Sequence, residues 1–137
     1  MKRLRHPDRL GLHLRVVLGA EVAMGPGKAE LLDGIALTGS IAAAGRRMGM
    51  SYKRAWLLVE AMNAMFAEPL VDAAKGGAGG GGAALTPLGK QMLAAYRKLE
   101  ATAAASGAAE LAQMRAALPP GQPGRATRSG RAPAAPR

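Results

Sequence analysis

Apolar and polar positions change period several times along this chain. Leu12, Leu14, Val16 and Leu18 alternate with His13, Arg15 and Val17, the period-two pattern of a short strand. Gly25-Pro26-Gly27 breaks that pattern, and Pro26 suits the first turn of a helix. The spacing of Leu31, Leu32, Ile35 and Ala36 predicts a helix from Lys28 to about Leu37, ended by Thr38-Gly39. Ser40 is a good N-cap for a helix over Ile41 to Met48. Gly49-Met50 then makes a tight turn, with Gly49 free to take the left-handed conformation that closes a helix. Ser51 caps a second helix, Tyr52 to about Phe66. Its apolar residues Ala55, Trp56, Leu58, Val59, Met62, Met65 and Phe66 recur at i, i+3, i+4 and i+7.

Glu68-Pro69 stops that helix. Leu70 to Ala74 reads as a strand, Lys75 to Gly82 as a glycine-rich loop, and Ala83 to Thr86 as a second strand: a wing. Thr86-Pro87 opens the last helix, with Thr86 as cap and Leu88, Met92, Leu93, Tyr96 and Leu99 as its apolar stripe. After Leu118 large apolar side chains run out and five prolines follow, so Pro119 onward is expected to be disordered. The predicted fold is mainly α with a small β wing, a winged helix-turn-helix with a long C-terminal helix. Residues 1–10 form a basic arm, 11–105 the domain, and 106–137 the helix end and a Pro/Ala/Arg-rich tail.

Composition narrows the function. The 137 residues carry 19 Lys and Arg against nine Asp and Glu, a net charge of +10. Most of it sits on the ends. Lys2, Arg3, Arg5, Arg9 and Arg15 oppose Asp8 alone, and Arg125, Arg128, Arg131 and Arg137 meet no acid after Pro119. Such a balance points to a polyanionic partner, usually nucleic acid. Only 3% of residues are aromatic, so the core is expected to be small, with the single Trp as its bulkiest member. Absence of cysteine excludes disulfides, thiolate zinc sites and thiol nucleophiles. His6 and His13 have no suitably spaced carboxylates, so no metal or cofactor is expected. Val16-Val17-Leu18 is too short for a signal core or a membrane span, and a cytoplasmic location is expected. No catalytic constellation is present, and Asp33, Glu60 and Asp72 read as surface charges.

In a helix-turn-helix unit the second helix lies in the major groove and its first turn meets base edges. That turn here is Ser51-Tyr52-Lys53-Arg54, four donors suited to guanine N7/O6 or to phosphate. Arg46 and Arg47, near the end of the preceding helix, are expected on backbone phosphates. Ser40 at the start of that helix joins the candidate DNA-binding set, as do Lys75, Gly76 and Gly77 in the wing, where glycine lets backbone N–H groups approach phosphate. A nucleotide-binding loop is disfavoured. Lys28 in Gly25-Pro26-Gly27-Lys28 lacks the upstream Gly and the following Ser or Thr.

Three blocks carry a resemblance: Thr38-Gly39-Ser40-Ile41; Met50-Ser51-Tyr52-Lys53-Arg54-Ala55-Trp56 with Met62-Asn63; and Gly76 to Gly82 running into Ala83-Ala84-Leu85-Thr86-Pro87-Leu88-Gly89. Together they resemble the amino-terminal DNA-binding domain of ModE-type molybdate-dependent transcriptional regulators, over about Leu12 to Glu100. The resemblance implies a LysR-like winged helix-turn-helix, a homodimer and a roughly palindromic operator. It places Ser51, Tyr52 and Lys53 at the start of the recognition helix, Trp56 in the core beneath it, and Gly76 to Gly82 in the wing. Arg54 falls where the family motif varies. Full-length family members continue into molybdate-binding domains. Here the chain passes into its Pro/Arg/Ala tail, which reads as a stand-alone domain whose sensor, where one exists, is a separate protein.

The expected function is therefore sequence-specific, regulatory binding of double-stranded DNA, as a homodimer and without enzymatic activity. The alternatives are a non-specific architectural protein held by its basic ends and a protein-interaction module in which DNA is incidental.

Overall fold

The computed structural model describes residues 10–73 and 82–122. Residues 13–100 cluster as one compact unit. Within it the chain runs β1 (Val16–Gly19), β2 (Val22–Met24), α1 (Pro26–Thr38), α2 (Ile41–Arg47), α3 (Tyr52–Met65), β3 (Val71–Asp72) and β4 (Ala84–Leu85), then enters α4 (Pro87–Ser106). A second unit takes in residues 10–12 and 101–122, including α5 (Ala108–Ala116), none of whose residues is buried.

The architecture is mainly helical, with two small antiparallel sheets, β1–β2 and β3–β4. The single strand expected near Leu12 to Leu18 is instead the first arm of a hairpin. Val16 lies opposite Met24 and Val17 opposite Ala23, with a bulge before Gly19 pairs with Val22. The reason is general: a strand's backbone N–H and C=O groups need a partner, and Val22 to Met24 supplies one. The two strands expected as a wing are two residues each, with Val71 opposite Leu85 and Asp72 opposite Ala84.

The core is aliphatic. Leu31, Leu32 and Ile35 of α1, Val59 and Met62 of α3, and Leu70 are fully buried, with Ile41, Ala44, Ala55, Val71 and Leu85 around them. Trp56 is not the bulkiest core member. It is half-buried and packs against the cluster from outside, while Tyr96 of α4 is the large aromatic that goes inside. Tyr96 satisfies its polar end by donating its hydroxyl to the Leu14 carbonyl at 2.6 Å, 82 residues away in sequence. Beside it Arg97 pairs with Asp33 of α1 and with Glu100 at 2.7 Å. Asp33 is a surface charge as expected, its side chain half exposed, and it is also the α1 half of a tie to α4. Burial works against the Arg97 charge, but the bonds to Asp33 and Glu100 outweigh it and hold the guanidinium above its ordinary range.

The last helix is divided. Pro87 occupies its first turn, and Thr86 caps it by accepting the Gly89 N–H at 2.9 Å. It stops at Ser106, and α5 restarts after Gly107, whose N–H donates to the Ala103 carbonyl at 2.8 Å.

Burial, reinforced by the Glu100 carboxylate, pushes the Tyr96 phenol above its usual value of 10.0, although Arg97 pulls it down. A raised phenol favours the folded state below the unfolded pKa, and that contribution is lost as pH rises through the folded value. Tyr96→Phe should lower stability at neutral pH by about 0.5–1.5 kcal/mol, the net value of one hydrogen bond. It should also flatten the fall in stability above about pH 10. Denaturant unfolding of both proteins across that range measures both effects.

Candidate nucleic-acid interface

Two close approaches build the helical unit. A Cβ on Gly34 of α1 would stand 2.9 Å from the Ala44 Cβ of α2, and one on Gly45 of α2 would stand 2.9 Å from the Ala55 Cβ of α3. Neither position has room for a side chain, so the three helices meet nearly backbone to backbone. The corners between them are sharp for a local reason. Gly39 (φ 72°) and Gly49 (φ 71°) take left-handed conformations that favour glycine. The Gly39 N–H closes α1 on the Ile35 carbonyl at 2.8 Å, and the Met50 N–H returns to the Gly45 carbonyl at 3.0 Å.

Both predicted caps are formed. Ser40 Oγ accepts the Ala43 N–H at 3.0 Å and Ser51 Oγ accepts the Arg54 N–H at 3.1 Å. Each hydroxyl still has its own proton to donate. The residues predicted to read DNA share one exposed region: Ser51, Tyr52, Lys53 and Arg54 on the first turn of α3, with Arg46 and Arg47 at the end of α2. Tyr52 is 59% exposed, far more than a core tyrosine would be. Ser40 is set apart from these, half-buried at the start of α2. Arg47 leans back over α1, with one terminal nitrogen 3.3 Å from where a Gly34 Cβ would stand. Lys75, Gly76 and Gly77 lie outside the described residues. Lys28 serves the fold, donating to the Ala23 carbonyl at 2.9 Å.

Asn63 is the residue whose role the sequence did not disclose. Its Oδ1 accepts the N–H groups of Leu70 (2.9 Å) and Val71 (3.0 Å), and its Nδ2 donates to the Val71 carbonyl (3.0 Å). One side chain therefore fastens the end of α3 to the start of β3. The signal was there in Met62-Asn63, since a polar amide beside a core methionine near a helix end asks for backbone partners. From the other side Thr86 donates its hydroxyl to Pro69 at 2.7 Å, and its N–H goes to the Leu70 carbonyl at 2.9 Å. An open hollow of about 640 Å³ lies elsewhere, between α1, β4 and α4, and none of its lining residues belongs to α2 or α3.

Among the described residues, no helix is long and apolar enough to cross a membrane. No protein-family model matches the chain. Individual relatives do. The molybdenum-pterin-binding protein MopB of Rhodobacter capsulatus is 54% identical over 78 residues, 57% of this chain and 29% of that protein. The molybdenum transport protein ModE of Herbaspirillum seropedicae is 46% identical over 70 residues, 51% of this chain and 26% of that one. The DNA-binding transcriptional dual regulator ModE of Escherichia coli is 44% identical over 71 residues, 52% of this chain and 27% of the regulator. The likeness to these relatives covers about half of the chain and is consistent with a ModE-type amino-terminal domain. The chain matches under a third of the length of these relatives, so the likeness to ModE and MopB is that of a domain. They are described as regulators, transport proteins or binding proteins rather than enzymes.

The Ser51 cap separates stability from contact. Ser51→Ala should cost about 1 kcal/mol of folding stability. Ser51→Asp should retain most of that stability, because a carboxylate caps as well as a hydroxyl. Thermal and denaturant unfolding of the two variants measure this.

Proposed function

We infer that this chain is a sequence-specific DNA-binding transcriptional regulator of the ModE type. In this reading residues 11–105 make a winged helix-turn-helix domain with a LysR-like arrangement, residues 1–10 a basic arm and 106–137 a basic tail. The supporting observation is one surface: Ser51, Tyr52, Lys53 and Arg54 are exposed together on the first turn of a helix held rigidly at its start by a serine cap and a glycine turn. A rigid first turn that offers hydroxyl, phenol, ammonium and guanidinium suits the donor pattern of guanine and phosphate in the major groove. The similarity to a regulator described as DNA-binding adds independent support.

The roles divide accordingly. Tyr52, Lys53 and Arg54 read base edges, Ser51 caps and donates, and Arg46 and Arg47 hold phosphates. Ser40 fixes the start of the preceding helix near the backbone, and Lys75, Gly76 and Gly77 bring the wing to the duplex. The partner in solution is a second copy of the chain, which pairs two half-sites on a pseudo-palindromic operator. Leu99, the last residue of the α4 stripe, is 49% exposed and suits such a contact.

Selection of bound duplexes from a random pool, with and without molybdate, tests the reading. A preferred, roughly palindromic site is expected in both arms. On that site Arg54→Ala should weaken binding by about 1–3 kcal/mol while changing affinity for random duplex much less. Ser51→Asp should bind poorly although it folds. Equal loss on random DNA would remove Arg54 from base reading. Loss of all affinity on deleting residues 119–137, with no sequence preference left, would favour an architectural role for the basic ends.

A further inference from the structure

The side of α3 that faces away from the core has a fixed composition. Ala55, Val59 and Met62 are buried, and opposite them Lys53, Leu57, Glu60 and Ala64 recur at i, i+4, i+7 and i+11, all exposed. That spacing is one stripe of a helix with 3.6 residues per turn. Three of the four are what an exposed stripe ordinarily holds. Leu57 is not: it is a large apolar side chain, 54% exposed, in the middle of a polar face. Its apolar neighbours in sequence, Trp56 and Leu58, both turn toward the core cluster, so the exposure of Leu57 is not a matter of a crowded helix.

Position decides what such a residue would meet. Leu57 follows Lys53 by one turn, about 6 Å along the helix axis. If Lys53 and Arg54 reach base edges, the next turn of the same stripe is still over the groove floor. Glu60, a turn further on, carries a charge that phosphates repel, so Leu57 is the last position of the stripe suited to close approach. The floor of the major groove presents mostly hydrogen-bonding groups, and its bulkiest apolar feature is the 5-methyl group of thymine. An isobutyl side chain has no hydrogen bond to offer and gains only where it covers apolar surface.

We propose that Leu57 is a specificity-determining residue that selects thymine by packing on its 5-methyl group, one helical turn beyond the bases read by Lys53 and Arg54. The inference rests on the DNA-binding reading above and adds to it a residue and a base. Lys53 and Arg54 favour guanine or phosphate, and Leu57 adds a thymine requirement at a fixed offset within each half-site.

The full-length chain and the duplex selected from the random pool provide the test. Thymines of that duplex are replaced one at a time by deoxyuridine, which removes the methyl group and leaves base pairing unchanged. Wild type should lose about fourfold in affinity at one thymine per half-site, the value of one buried methyl group (about 0.8 kcal/mol). Leu57→Ala should bind the thymine and deoxyuridine duplexes equally, and Leu57→Met, which keeps an apolar side chain, should restore the difference. Because Leu57 is exposed, both variants should fold, and circular dichroism with thermal unfolding checks this. A preferred site on which Leu57→Ala keeps the full deoxyuridine penalty, or on which wild type shows none, would overturn the role of Leu57 alone. Failure of the pool to yield any preferred duplex would overturn the DNA-reading proposal and this one with it.

Discussion

The contact between Gly45 and Ala55 sets the geometry on which the candidate interface depends. With 2.9 Å between the Ala55 Cβ and the place where a Gly45 Cβ would stand, α2 and α3 approach too closely there to admit a side chain at position 45. Any larger residue at either position forces them apart, and close-packed interiors have no slack to absorb the shift. That contact limits how α3 can sit against α2. Gly34 against Ala44 repeats the device one helix earlier. An alanine-rich, aromatic-poor composition is thus a means of close approach as well as a limit on core size.

From α3 the constraint passes to the β3–β4 pair through a few hydrogen bonds centred on Leu70. The Leu70 side chain is fully buried, its N–H is held by Asn63, and its carbonyl accepts the Thr86 N–H. A Cβ on Gly89 would fall 2.1 Å from that same carbonyl oxygen, so the first turn of α4 lies against it with nothing between. The end of α3, the β3–β4 pair and the start of α4 therefore meet at one backbone residue. The β3–β4 pair has only two residues per strand, and Asn63 and Thr86 anchor its base so that it does not rely on ladder bonds alone.

What the sequence disclosed and what it concealed divide by distance along the chain. Ser40, Ser51 and Thr86 were legible as caps because a cap reaches only three residues ahead. Gly39 and Gly49 were legible because turn chemistry is local. The exposed first turn of α3 followed from those caps and the helical period. The Tyr96 bond to Leu14 and the Arg97 pairing with Asp33 span 82 and 64 residues, and no local pattern encodes such partners. Trp56 was misplaced because size was read as depth. On α3 the central core positions are Ala55, Val59 and Met62, and position 56 lies on the flank of that stripe, where a large ring covers the cluster without entering it.

Charge enters last, and its distribution bears on how a chain of this composition would discriminate among duplexes. Charges on the two ends attract any polyanion, and at physiological salt their influence is screened beyond about 8 Å. Attraction of that kind is the same for every sequence. Discrimination needs donors that cannot move to suit the wrong base, since a flexible side chain trades one partner for another at little cost. For Ser51 to Arg54 the Ser51 cap and the Gly49 turn before it fix the backbone, and so the points from which their side chains start. In the proposed reading the basic ends bring the duplex near, and the close approach of Gly45 to Ala55 helps set where the first turn of α3 presents its donors.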